Sequence, residues 1–198
     1  MCPSTINLPQ SGWFESDDGT SDAGTLIDAT STPGCAGAND CSYHFKGSGY
    51  TGWGALVGFN TSTTAADGGV VPDGVAASYT GFQFWLMGTS AGTRTSGYVA
   101  ANNSVKVIFP TTTNRNEDDY AYYCPTEGDA GNGWVFCQIP FSSLKRDGFS
   151  STPPVATDMF DVANLTKVEF QLAAYQAADG AVPTPVSFDL RLDDIAFY

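Results

Sequence analysis

Gln83, Trp85 and Met87 fall two residues apart, as do Glu169 and Gln171, and Asp189, Arg191 and Asp193. Side chains two apart on an extended chain share a face. Together they mix an indole with amides, carboxylates and a guanidinium. A flat ring stacks on the apolar C–H face of a pyranose, and planar polar groups hydrogen-bond its hydroxyls. Such groups are costly to bury without partners, so this row is expected to face solvent or a ligand. The plainer account is a solvated sheet face with cross-strand ion pairs, and for Trp85 cover by a loop. Tyr120, Tyr122 and Tyr123 read as part of a long acidic loop over residues 111–133, where they either line a cleft rim or pack.

Catalytic chemistry has fewer footholds. Glycoside hydrolysis needs two carboxylates flanking the bond, and only Glu15, Glu117, Glu127 and Glu169 are glutamates, with aspartates as substitutes. The lone histidine, His44, stands between Tyr43 and Phe45 in a strand-like run, where packing or exposure is the ordinary role. None of the cysteines forms a zinc-type CxxC pair.

Strands must carry these residues. Phe82-Phe84-Leu86, Val105-Val107-Phe109, Val168-Phe170-Leu172 and Phe188-Leu190-Leu192 alternate with polar positions, the period of half-buried strands. Further strands are expected around Trp13, over 41–59 and over 134–141. Helical spacing is nearly absent, and 22 glycines and 11 prolines punctuate the chain. Eight or more strands joined by polar loops predict an all-β, antiparallel β-sandwich, most simply a jelly roll. The whole of 1–198 reads as one domain with an irregular lead-in over 1–12. The last strand is expected to end at the Asp193-Asp194 pair, either a solvated terminus or a hard-cation site.

Net charge is -13 with eight Lys+Arg, which argues against nucleic acid and anionic membrane as partners and favours a neutral glycan. The simplest disulfides are the local pairs Cys35–Cys41 and Cys124–Cys137, with Cys2 left over, although spacing alone does not fix connectivity. Disulfides favour an exported, extracellular protein. The chain opens on Met1-Cys2-Pro3 without a signal peptide, as an excised or mature domain would.

Several segments together resemble β-jelly-roll carbohydrate-binding modules of secreted bacterial polysaccharide-degrading enzymes, with cellulosomal β-glucan-binding modules the nearest type. They are Tyr79 to Gly88, Val105 to Val107, Trp134 to Leu144 with its Ile-Pro-Phe-Ser run, and Phe188 to Phe197 with its Leu-Asp-Asp-Ile run. The resemblance implies a monomeric, non-catalytic binder of β-glucan, cellulose-like or xylan-type polysaccharide, attached to a catalytic domain in its parent protein. It also implies a structural Ca2+ tying the first strand to the last, here through Glu15, Asp17, Asp18, Asp193 and Asp194. The long cysteine-bearing loops and the Ala-rich 173–181 stretch depart from the pattern. A small jelly-roll glycoside hydrolase or lyase, or a protein- or cell-surface-binding jelly roll, are the alternatives.

Overall fold

A computed structural model describes residues 13–20, 27–28, 42–66, 69–91, 104–112, 119–126, 133–146, 159–173 and 186–198. The strands are β1 (Trp13–Asp17), β2 (Ile27–Asp28), β3 (Tyr43–Tyr50), β4 (Gly54–Asn60), β5 (Ser62–Thr64), β6 (Val70–Pro72) and β7 (Gly81–Ala91). They continue with β8 (Ser104–Phe109), β9 (Tyr120–Pro125), β10 (Trp134–Pro140), β11 (Lys145–Arg146), β12 (Lys167–Ala173) and β13 (Val186–Phe197). One sheet runs β1-β4-β12-β8-β9-β11 and the other β10-β7-β13-β3-β2. A separate β5-β6 hairpin follows β4.

Eight of these strands show how the chain is wound. Taken in order as β3, β4, β7, β8, β9, β10, β12 and β13, the first pairs the last, the second the seventh, the third the sixth and the fourth the fifth. The chain is one long antiparallel ribbon. It is rolled so that β3·β13 and β7·β10 lie in one sheet and β4·β12 and β8·β9 in the other. That nested order is the jelly roll. The expected fold class therefore stands on the strand order itself.

The four alternating rows meet between the sheets. Phe82, Phe84, Leu86, Val105, Val107, Phe109, Val168, Phe170, Phe188, Leu190 and Leu192 are all buried. Phe82 is the hub, with its ring against those of Phe59, Phe84, Phe109, Phe170 and Phe197. Trp13 leans on Tyr43, Phe59 and Phe170 and so fastens the edge strand β1 to the core. The Cys124–Cys137 disulfide joins β9 of one sheet to β10 of the other, with Cα atoms 6.0 Å apart. Cys35 and Cys41 lie outside the described residues.

Two expectations need correction. Tyr120 and Tyr122 are not on a loop: they stand on β9 and point inward, Tyr120 4% exposed and Tyr122 packed against the core. Tyr-x-Tyr-x-Cys is itself a period-2 run, and the acidic residues before it masked that signal. The last strand also does not end at Asp193-Asp194. Against β7, Asp193 pairs Trp85 and Ala196 pairs Gln83, so one extra residue is inserted between them. Asp194 takes φ 47, a left-handed value that aspartate tolerates better than most residues. Its N–H donates to Asp193 Oδ1 at 2.8 Å. This β-bulge switches the phase of alternation. Before it Leu190 and Leu192 face inward, and after it Ile195 and Phe197 do, at 2% and 9% exposure.

Candidate functional site

The sandwich has two outer faces, and the residues expected to form one row divide between them. Gln83, Trp85, Met87, Asp189, Arg191 and Asp193 lie on the β10-β7-β13-β3-β2 sheet. Glu169 and Gln171 lie on β12 in the opposite sheet. Alternation tells inward from outward within a strand; it does not tell which sheet the strand joins.

On the first face the register places Gln138 beside Gln83, Phe136 beside Trp85 and Trp134 beside Met87. The Trp85 and Phe136 rings are 5.0 Å apart at 43°. Phe136 is 44% exposed and Trp85 half-buried, so the pair opens to solvent through Phe136. Next to it Gln138 Nε2 donates to Gln83 Oε1 at 3.4 Å. Across β13, Arg191 stands beside Met87 on one side and His44 on the other. His44 Nε2 lies 2.7 Å from Asp189 Oδ1, a largely covered imidazole on this outer face held by an exposed carboxylate. Phe136 and Gln138 join the expected residues on this face. The alternation of Phe136 and Gln138 with Cys137 and Ile139 carried the signal.

The second face is charged and more closed. Glu169 is 6% and Lys106 7% exposed. Lys167 Nζ sits 2.5 Å from Glu169 Oε1 and reaches over the Phe14 ring, 5.6 Å from its centre. Glu169 opposes Ile108, which opposes Ala121, and Asp119 precedes Ala121 by two residues on the same side of the sheet. Burial, and then the Glu169 charge, push Asp119 up to about 6, against the pull of Lys167, Lys106 and Arg146. Gln171 Nε2 donates to the Trp53 carbonyl at 3.3 Å. Trp53, at the end of this face, is 39% exposed.

The carboxylates expected to hold Ca2+ do not converge. Asp18 Oδ2 accepts from the N–H groups of Gly52 and Gly54, and Asp18 Oδ1 from the Thr20 hydroxyl and N–H. Partial burial opposes ionisation of Asp18, but these bonds outweigh it and lower its pKa. The chain reverses here beside Tyr50, which pairs Val186. Asp193 is seven residues further along β13, about 23 Å at roughly 3.3 Å per residue. Asp17 Oδ1 accepts from Gly19 N–H, and Asp193 and Asp194 serve the bulge. A single ion therefore does not reach both Asp18 and Asp193. Among the described residues no three His, Cys, Asp or Glu side chains gather as a metal site.

No family model matches the sequence, and no curated protein matches it. Among solved structures, the chain is similar to the family 11 carbohydrate-binding module of cellulosomal cellulase Lic26A-Cel5E of Clostridium thermocellum. That match has 18% identity and a TM-score of 0.44, covering 91% of this chain and 86% of the other. A solution structure of CtCBM11 matches at 15% identity and a TM-score of 0.35, covering 90% of this chain and 94% of the other. Both scores are below 0.5, so the fold assignment stands on the strand order and any function on the side chains.

Proposed function

We propose that this chain is a non-catalytic glycan-binding domain, and that it holds a neutral polysaccharide chain on the β10-β7-β13 face. The observation that carries the reading is the outward Trp85–Phe136 pair, Phe136 exposed and Trp85 half-buried, with the Gln83–Gln138 amides beside it. The rings take the apolar face of a sugar, and the amides and Arg191 take its hydroxyls. A net charge of -13 favours a neutral ligand, of the β-glucan or xylan type. The Cys124–Cys137 disulfide supports an exported location.

Affinity gel electrophoresis against a panel of soluble polysaccharides, run with a reducing-sugar assay, tests the reading. Retardation without sugar release is expected. Trp85→Ala should weaken retardation on the order of tenfold, from a stacking loss of about 1–2 kcal/mol. Unchanged retardation of a folded Trp85→Ala variant would sink this face as the site.

A second reading has one observation in its favour, the Asp119 carboxyl raised to about 6 near Glu169 on the opposite face. There, protonated Asp119 would give its proton to a leaving glycosidic oxygen, and Glu169 would take one from the attacking water. Sugar release abolished by both Asp119→Asn and Glu169→Gln would bring this reading forward.

A further inference from the structure

The two halves of the aromatic pair are held very differently. Trp85 stands on β7, which is paired on both sides, by β10 and by β13. Phe136 stands on β10, the outermost of the described strands in its sheet, paired by β7. An edge strand has ladder hydrogen bonds along one side and frays more readily than an inner one. Between the outward Phe136 and the outward Gln138 lies Cys137, pointing inward at 5% exposure. Its sulfur is bonded to Cys124, fully buried on β9 of the opposite sheet. The staple therefore grips the edge strand from within, at the residue between the two side chains offered to a ligand.

We propose that the Cys124–Cys137 disulfide is a positioning element for glycan binding: it holds Phe136 and Gln138 in line with Trp85 and Gln83, and opening it lowers affinity out of proportion to stability. The proposal rests on the glycan-face reading above. Ring stacking and amide pairing both depend on placement within a fraction of an ångström, and the staple adds a covalent hold on β10 to its pairing with β7 and the packing of Trp134, Val135 and Ile139.

The test compares four proteins by affinity electrophoresis on the retarding polysaccharide, below every variant's melting temperature: wild type, Cys124→Ala/Cys137→Ala, Val168→Ala and Trp85→Ala. Val168 is buried on β12 in the other sheet, so its truncation lowers global stability without touching β10. The disulfide variant is expected to lose affinity about fivefold, the worth of one well-placed ring pair, while Val168→Ala stays near wild type. Hydrogen exchange should quicken over 134–140 before it quickens in β7. Equal losses in the disulfide and Val168→Ala variants, or no loss in the former, would overturn the proposal while leaving the glycan face standing if Trp85→Ala still binds on the order of tenfold more weakly. Wild-type affinity in Trp85→Ala would overturn both. Should the double variant not fold, the wild-type chain is treated cold with dithiothreitol, which reduces the disulfide to two thiols and is itself oxidised to a cyclic disulfide. The same affinity loss is then expected, and its absence overturns the proposal.

Discussion

Asp119 makes this protein less stable as pH rises through the mildly acidic range, and Asp119→Asn should remove that loss. The carboxyl is raised from 3.8 to about 6 by burial and then by the Glu169 charge. An acid whose pKa is higher folded than unfolded binds more protons in the fold between those two values. Stability then falls as pH climbs from about 4 to about 6, and stays lower above. At about 1.4 kcal/mol per pH unit, the displacement bounds the effect at about 3 kcal/mol. Asp119 is only half-buried, and solvent screening brings the expectation to about 1–2 kcal/mol. Asparagine keeps the shape of the protonated acid and carries no charge beside Glu169. At pH 7.5 the variant should be more stable than wild type by that amount, a melting-temperature gain of about 3–6 °C for a domain of this size. At pH 4 the two should coincide. Urea unfolding followed by tryptophan fluorescence at several pH values reads both. An asparagine variant that is less stable at pH 7.5, or shifted equally at both pH values, would show that Lys167, Lys106 and Arg146 outweigh burial and that the carboxylate is held as an ion.

Three further perturbations are expected to behave as follows. Gly88 has φ +126, and a Cβ there would lie 2.0 Å from the Asp189 carbonyl oxygen and 2.9 Å from Leu190 Cα; Gly88→Ala should cost about 3 kcal/mol or more by denaturant unfolding, since only backbone stands in the way. Asp194→Gly should match wild type or exceed it by up to about 1 kcal/mol, because glycine takes the left-handed bulge position without strain, whereas Asp194→Val should lose about 1–2 kcal/mol; a valine variant as stable as the glycine variant would refute the bulge. Asp18→Ala strips the acceptor from Gly52, Gly54 and Thr20 and should cost about 1–3 kcal/mol at pH 7. Because the Asp18 pKa is lowered in the fold, that difference should shrink as pH falls below about 4.

The core was legible because it is written in alternation. The described members of the rows around Phe84, Val107, Phe170 and Leu190 face inward as their period-2 spacing requires. The site was legible only in its chemistry. Trp85 and Gln83 do stand outward, but Glu169 and Gln171 stand outward on the other sheet, a separation that arises from ribbon winding and leaves no trace in strand-local spacing. Phe136 reads from sequence as one more apolar residue, and its exposure follows from Cys137 being drawn inward. The Leu-Asp-Asp-Ile run suggested a terminus or a cation site and is instead a phase correction within β13. A bulge has no strong residue signature unless it uses glycine, so its aspartates were read by charge alone.

The nested pairing also sets an order in time. β13, the last of the described strands, lies between β7 and β3 in the middle of its sheet. Until residues 186–197 leave the ribosome, β3 and β7 each present a bare strand edge, and Phe45, Phe82 and Phe84 lack the strand that closes over them. Partners that distant in the chain join slowly, since their loop-closure cost is met before any contact is gained. The nascent chain therefore carries sticky edges until β13 has emerged, and completes its sandwich only then. A protein that must cross a membrane unfolded is well served by such a schedule, and one that lingers half-made is exposed to aggregation.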